Sequence, residues 1–250
     1  MRTSSSTLGK ALFTAIALAT AVAAVGCGDT GQPLVRVPVS VVGTAPRAQA
    51  VGTWSITLSV ARVGFGPVRF CASRVAGEEL CPASLAEYAD SAGVDALSPA
   101  PQGIGFVDGF TGTVRSASYG FAYTWLPAQT EPRPTSHAID GHSAHLEGTA
   151  TSTADATRSF AFVADVDVVP YLRGTHAVDT TGLAVPIDQK TQRLDVTLDP
   201  SAWLAQVDFD ALAATPDRPV RILPGSRAHN ALVVGITSLA QARFAFVRSP

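Results

Sequence analysis

Methionine is all but missing from this chain: Met1 is the only one. A copper(I) site built from soft thioether sulfur is thereby excluded. Lysine is nearly as scarce, with Lys10 and Lys190 alone, and arginine supplies the remaining cations. That bias reads as GC-rich coding rather than as a binding design. Charged residues make up only 15% of the chain and the formal net charge is −2, so the basic footprint of a nucleic-acid-binding protein is lacking. A membrane-spanning helix needs about 20 apolar residues; the stretch 11–25 is shorter and is interrupted by Thr14 and Thr20.

Catalytic signatures are missing as well. Gly141-His142-Ser143-Ala144 is followed by His145 where a nucleophile elbow needs glycine, and there is no Ser-x-x-Lys. The glycines of "GIGFVDGF" have no lysine behind them to make a phosphate loop. No nucleophile is assigned, and the chain is not expected to be an enzyme.

Cysteine is limited to three, an odd number for disulfides. The first, Cys27, ends a segment with the anatomy of an export signal: Arg2 and Lys10 without an acid, an apolar run, then small residues. Ala24-Val25-Gly26-Cys27 resembles the lipobox of bacterial lipoprotein precursors. The resemblance implies a diacylglycerol group on the Cys27 sulfur and cleavage that leaves Cys27 first, its acyl chains acting as the membrane anchor. With Gly28 rather than Asp after the cysteine, it also implies an outer-membrane address. Loss of Arg2 and Lys10 with the signal makes the mature chain more acidic.

The other two cysteines, Cys71 and Cys81, close a short loop, and in an oxidising compartment such a pair reads as a disulfide. Residues 1–26 are thus expected to be a cleaved signal, 27–50 a tether with an edge strand, and 51–250 a single β-rich domain. Pro38 within "LVRVPVSVV" points to an edge position because it donates no hydrogen bond to a ladder.

Along the domain, Trp54, Ile56, Leu58 and Val60 alternate with polar residues, the period of a half-buried strand. "HSAHLEGTA" and "RSFAFVADVDVVP" read as two strands joined by the polar "TSTADAT". "QRLDVTLDP", "RPVRIL" and "ARFAFV" add more. Short helices are expected over 82–90, where Ser84 and Glu87 are spaced like a capping box, after Asp199-Pro200, and after Ser226. The fold class is mainly β, an antiparallel sandwich or barrel-like domain with a few short helices.

Two groups of side chains invite chemistry. His137, His142 and His145 lie within nine residues, and a turn would let His176 join them on zinc or copper. Three positions apart in a strand, however, His142 and His145 face opposite ways, and loop histidines are the plainer reading. Tyr119, Phe121, Tyr123 and Trp125 share one face of an expected strand over 114–126. Such a face is core packing, or, if open, a stacking platform for a sugar. Asp165 with Asp167, and Asp208 with Asp210, are paired carboxylates of the sort that hold calcium, but solvated aspartates facing arginine are the simpler expectation. The overall expectation is a membrane-anchored envelope lipoprotein that binds or scaffolds an envelope protein or small ligand. A metal-handling or a sugar-binding protein is the alternative.

Overall fold

Apolar residues at every second position make this chain a strand former. The computed structural model describes residues 31–76, 81, 84–239 and 242–249; the expected export signal, the lipobox-like ending and Cys27 lie outside them. The strands run as β1 (Leu34–Val42), β2 (Gln49–Val51), β3 (Trp54–Phe65), β4 (Val68–Cys71), β5 (Ser84–Tyr88), β6 (Ala92–Asp95), β7 (Gln102–Phe110), β8 (Gly112–Val114) and β9 (Ser116–Tyr119). There follow β10 (Tyr123–Thr124), β11 (Arg133–Pro134), β12 (Ala144–Ser152), β13 (Ser159–Val166), β14 (Val178–Thr180), β15 (Val185–Ile187), β16 (Thr191–Thr197), β17 (Val220–Ile222) and β18 (Arg243–Arg248). Between β16 and β17 lie a 3₁₀ helix, Pro200–Gln206, and α1 (Phe209–Ala213); α2 (Arg227–Val234) runs into a π turn, Gly235–Leu239.

One eight-stranded sheet has the order β14-β9-β4-β5-β7-β1-β16-β18, and a six-stranded one β17-β13-β12-β3-β2 with β6 also on β3. Their inner faces meet in one apolar cluster that takes in Val37, Val39 and Val41 of β1 as well as Ile56, Leu146 and Phe162 of the smaller sheet. The mainly β class and the few short helices are as the sequence pattern predicts. Pairing is antiparallel except for β1 with β16 and β13 with β17, which are parallel.

Four local expectations change. The segment over 82–90 contains strand rather than helix: β5 is hydrogen-bonded on both sides, to β4 and β7, and turns Ala86 and Tyr88 into the core. Glu87 pairs across the ladder with Arg69 at 3.3 Å instead of serving a helix cap. β1 is not an edge strand. It lies between β7 and β16, and the compact unit begins at Leu34, so residues 34–50 belong to the domain rather than to a tether. Pro38 is tolerated because the ladder to β16 starts only at Val39, leaving the proline paired on its β7 side alone.

The alternation of β3 also changes phase. Val60 pairs with Glu147 and Leu58 with Gly148, so Ser59 is an extra residue. This bulge turns Ala61, Val63 and Phe65 inward and leaves Val60 half-exposed. Gly148 opposite it has no room for a side chain: a Cβ there would stand 2.7 Å from the Phe162 ring and from the Thr57 carbonyl. Finally, Asp208 and Asp210 do not lie on a strand. Asp208 caps α1 by accepting the Ala211 N–H, and Asp210 accepts the Trp54 indole N–H at 3.0 Å.

Helix ends follow their caps. Asp199 accepts from Ser201 N at the start of the 3₁₀ helix, and Ser226 from His229 N at the start of α2. Among the described residues no helix is long and apolar enough to cross a membrane.

Cys71 and Cys81 are joined, with their Cα atoms 5.8 Å apart, and form a small buried cluster with Ala76. Replacing both by alanine is expected to lower stability by about 2–3 kcal/mol through the freed loop entropy. Urea unfolding under non-reducing conditions measures it; an unchanged midpoint and slope contradicts the expectation.

Candidate functional site

The hairpin of β12 and β13 sets the first group of polar side chains. Its register places His145 opposite Asp165, both on the outer face, because the inner positions Ala144, Leu146, Ala164 and Val166 are taken by the core. His145 Nδ1 lies 2.7 Å from Asp165 Oδ1, and its Nε2 lies 3.2 Å from Glu147 Oε1. Burial pulls this ring toward its neutral form, but only an imidazolium donates to both carboxylates, and their bonds and charges outweigh burial: its pKa is raised.

His142 reaches the same outer strip although it is three residues away. It is not in the strand but ends a two-residue turn, in which Ile139 and His142 exchange both backbone hydrogen bonds around Asp140 and Gly141, at φ 51° and 89°. Asp-Gly with two positive φ angles is the sequence of such a turn, a signal present in the chain but not used in its reading. His142 Nδ1 donates to Asp167 Oδ1 at 2.8 Å; the Tyr123 hydroxyl donates to Gly141 O at 2.8 Å and lies 3.2 Å from Asp167 Oδ1. Burial first, and Asp167 second, push the Tyr123 phenol up to about 12.

From α2, His229 accepts the Asp167 N–H on Nε2 at 3.1 Å. Its proton therefore sits on Nδ1, a buried atom without a partner in the structure. Asp165 and Asp167 thus face histidines and a tyrosine, not arginines.

The four histidines singled out from sequence do not converge. His137 lies 3.5 Å from Asp90 at the surface. His176 meets the Ser118 hydroxyl at 3.0 Å, and burial, with the Arg69 charge, outweighs a hydrogen bond with the Ser118 backbone and lowers its pKa to about 4. Among the described residues no group of three or more His, Cys, Asp and Glu side chains is arranged to hold a metal ion. At His145 the reason is visible: each ring nitrogen is turned to a different carboxylate, so lone pairs do not meet at a point.

The aromatic stripe is broken in the middle. Tyr119 and Phe121 are buried in the core, stacked edge-on with each other, with Phe244 and with Trp203. The Tyr119 hydroxyl accepts the Ala242 N–H, and burial raises its phenol strongly. Ala122 then takes a positive φ of 52°, which interrupts the alternation. Tyr123 goes to the hairpin turn, and Trp125 lines a cleft of about 250 Å³ with Arg69, Glu87, Tyr88 and His176. A four-ring platform is not formed.

A larger space lies at the edge of the six-stranded sheet. β17 is paired to β13 on one side only. Along it runs a groove of about 690 Å³, floored by the whole of β17 and walled by α1 and the first half of α2. Leu212, Val220, Ile222, Leu223 and Ala231 line it, with Arg218, Arg221 and Arg227 at its polar positions. Sequence reading passed over these arginines because they lie on a loop, a strand and a helix, and only the tertiary fold gathers them.

No protein-family model matches the chain, and no curated protein matches it. Among solved structures it is similar to MbnP from Methylosinus trichosporium, with 13% identity, a TM-score of 0.41, and coverage of 86% of this chain and 100% of that one. No residue role is taken from that likeness.

The two perturbed histidines oppose each other in pH. His145, raised, adds stability that is complete below about pH 6.5 and is lost as pH rises through its folded pKa. His176, depressed to about 4, does the reverse: the unfolded chain takes up its proton below about pH 6.5 while the fold refuses it. Stability is therefore expected to fall by about 2 kcal/mol between pH 7 and 4.5 through this one ring. Urea midpoints at the two pH values should show that loss shrinking in His176→Gln; an identical loss in both proteins assigns it elsewhere.

Proposed function

We propose that this chain is a lipid-anchored, non-catalytic binding module of the cell envelope, with its ligand seated in the groove along β17. The anchor is supported by the lipobox-like ending at Cys27. The binding reading rests on one observation, the groove itself. Its volume lies within the range of about 300–1,000 Å³ typical of small-molecule sites, and its lining combines an apolar floor with a few fixed polar groups. The outer histidine strip supports it by contrast, since His142 and His145 already have partners inside the protein.

A second reading, sugar binding, draws on the cleft in which Trp125 lies beside the Arg69–Glu87 pair, an apolar ring next to a donor and an acceptor for hydroxyl groups. Fluorescence titration with monosaccharides tests it: a saturable change that is lost in Trp125→Phe supports it, and no change with any of them removes it.

Both parts of the main reading are open to direct test. Palmitate labelling of the chain is expected to disappear in Cys27→Ser, and unchanged labelling contradicts the anchor. For the seat, Ala211 is exposed on the groove wall of α1, so Ala211→Trp fills the space without entering the core. Compounds from a mixed small-molecule set that raise the melting temperature of the wild type by several degrees should leave the variant's unchanged. Equal shifts in both proteins, or no shifting compound at all, overturn the assignment of the seat.

A further inference from the structure

The groove carries more than its shape, because two of the arginines in its lining have no carboxylate partner among the described residues. Arg36, Arg47, Arg69, Arg133, Arg193 and Arg248 each have a carboxylate within 4 Å. Arg218, at the groove wall, has its guanidinium tied to the carbonyls of Thr215, Asp217 and Ala213 and laid over the Phe160 ring at 5.3 Å. It is part of the wall. Arg221 and Arg227 are different: among the described residues neither has a carboxylate within salt-bridge reach, and both side chains are exposed beside the apolar floor. Of the two acids in the lining, Asp208 is turned to cap α1, and Asp217 lies on the loop before β17. Two exposed arginines without a carboxylate partner thus share the lining of the groove with apolar side chains.

We infer that the groove binds a single-chain amphiphilic anion, an alkyl chain lying against Ala211, Pro219, Leu223 and Ala231 with its carboxylate or phosphate head on Arg221 and Arg227. The inference rests on the groove being the ligand seat and names its ligand class. Each half of such a molecule answers one half of the site. Removal of its apolar surface from water drives the chain in. The planar guanidinium fork suits a carboxylate or phosphate through charge-assisted hydrogen bonds. Leu223, 60% exposed, is the kind of rim residue such a chain would cover. Addition of a peptide strand to the free edge is the weaker match, because β17 is only three residues long and offers a short ladder.

The test uses the full chain carrying Cys27→Ser, which removes the lipid attachment and the need for detergent. Decanoate, decyl phosphate and uncharged 1-decanol are titrated calorimetrically below their aggregation range. Decanoate and decyl phosphate are expected to bind at one site, and 1-decanol about tenfold or more weakly, the loss of a charge-assisted contact. Arg221→Gln combined with Arg227→Gln should bring the anions down to the alcohol's affinity, leave the alcohol's own affinity unchanged, and keep the far-ultraviolet circular dichroism of the parent.

The preferred head decides the source: tighter decanoate identifies a free fatty acid, tighter decyl phosphate a phosphate-headed lipid. Absence of anion binding in the millimolar range, equal binding of the alcohol, or anion binding untouched by the double variant overturns the inference. If other compounds still lose their effect in Ala211→Trp while decanoate and decyl phosphate do not bind, the ligand class falls and the seat stands. If the anions bind but Ala211→Trp does not weaken them, the seat falls as well.

Discussion

The ladder from β3 through β12 to β13 is the constraint on which the rest of the molecule depends. β12 pairs with β3 from Ala144 to Ser152 and with β13 from Ala144 to Thr151, so it is held on both sides along nearly its whole length. A one-residue slip would exchange every inner and outer side chain. The bulge at Ser59 and the bare position of Gly148 set the phase: they place Phe162, Leu146 and Ile56 inside, and they place His145, Glu147 and Asp165 outside. Phe162 then packs on Phe209, which seats α1 against the sheet. The groove along β17 exists because β13 is followed by only a three-residue partner, with helices standing where further strands would have continued the sheet.

Two polar regions hang on this ladder, and they differ in how far their groups are satisfied. On the outer strip, His142 and Tyr123 meet on Asp167, and His145 separately joins Asp165 and Glu147, by contacts of 2.7 to 3.2 Å. The first group holds the turn at Asp140-Gly141 to the end of the sheet, where His229 ties α2 to the Asp167 backbone. In the groove Arg218 is likewise tied to backbone carbonyls, whereas Arg221 and Arg227 have no carboxylate partner among the described residues, and Leu223 is left exposed beside them.

Much of the architecture was legible because the signals were local. Alternation marked β3, β12, β13 and β16, and the side chains of Asp199 and Ser226 marked helix starts that the structure places at the same residues. Cys71 and Cys81, ten positions apart, needed only proximity in sequence to be paired. The failures were those where distant partners overrule a local preference. Ser84 to Glu87 is spaced like a helix cap, yet two neighbouring strands offer this segment a full ladder and a core position for Tyr88. The aromatic run from Tyr119 to Trp125 looks continuous, yet the positive φ at Ala122 sends its halves to the core and to the surface.

What the sequence by itself determined is therefore the kind of element at most positions, the disulfide and the mainly β class, since period, caps and spacing act between near neighbours. Only the tertiary structure decided that β1 is interior, that Asp165 and Asp167 meet histidines, and that Arg218, Arg221 and Arg227 border one apolar groove. Each of these brings together residues from different elements, and strand order and register, which no short window of sequence encodes, set which of them meet.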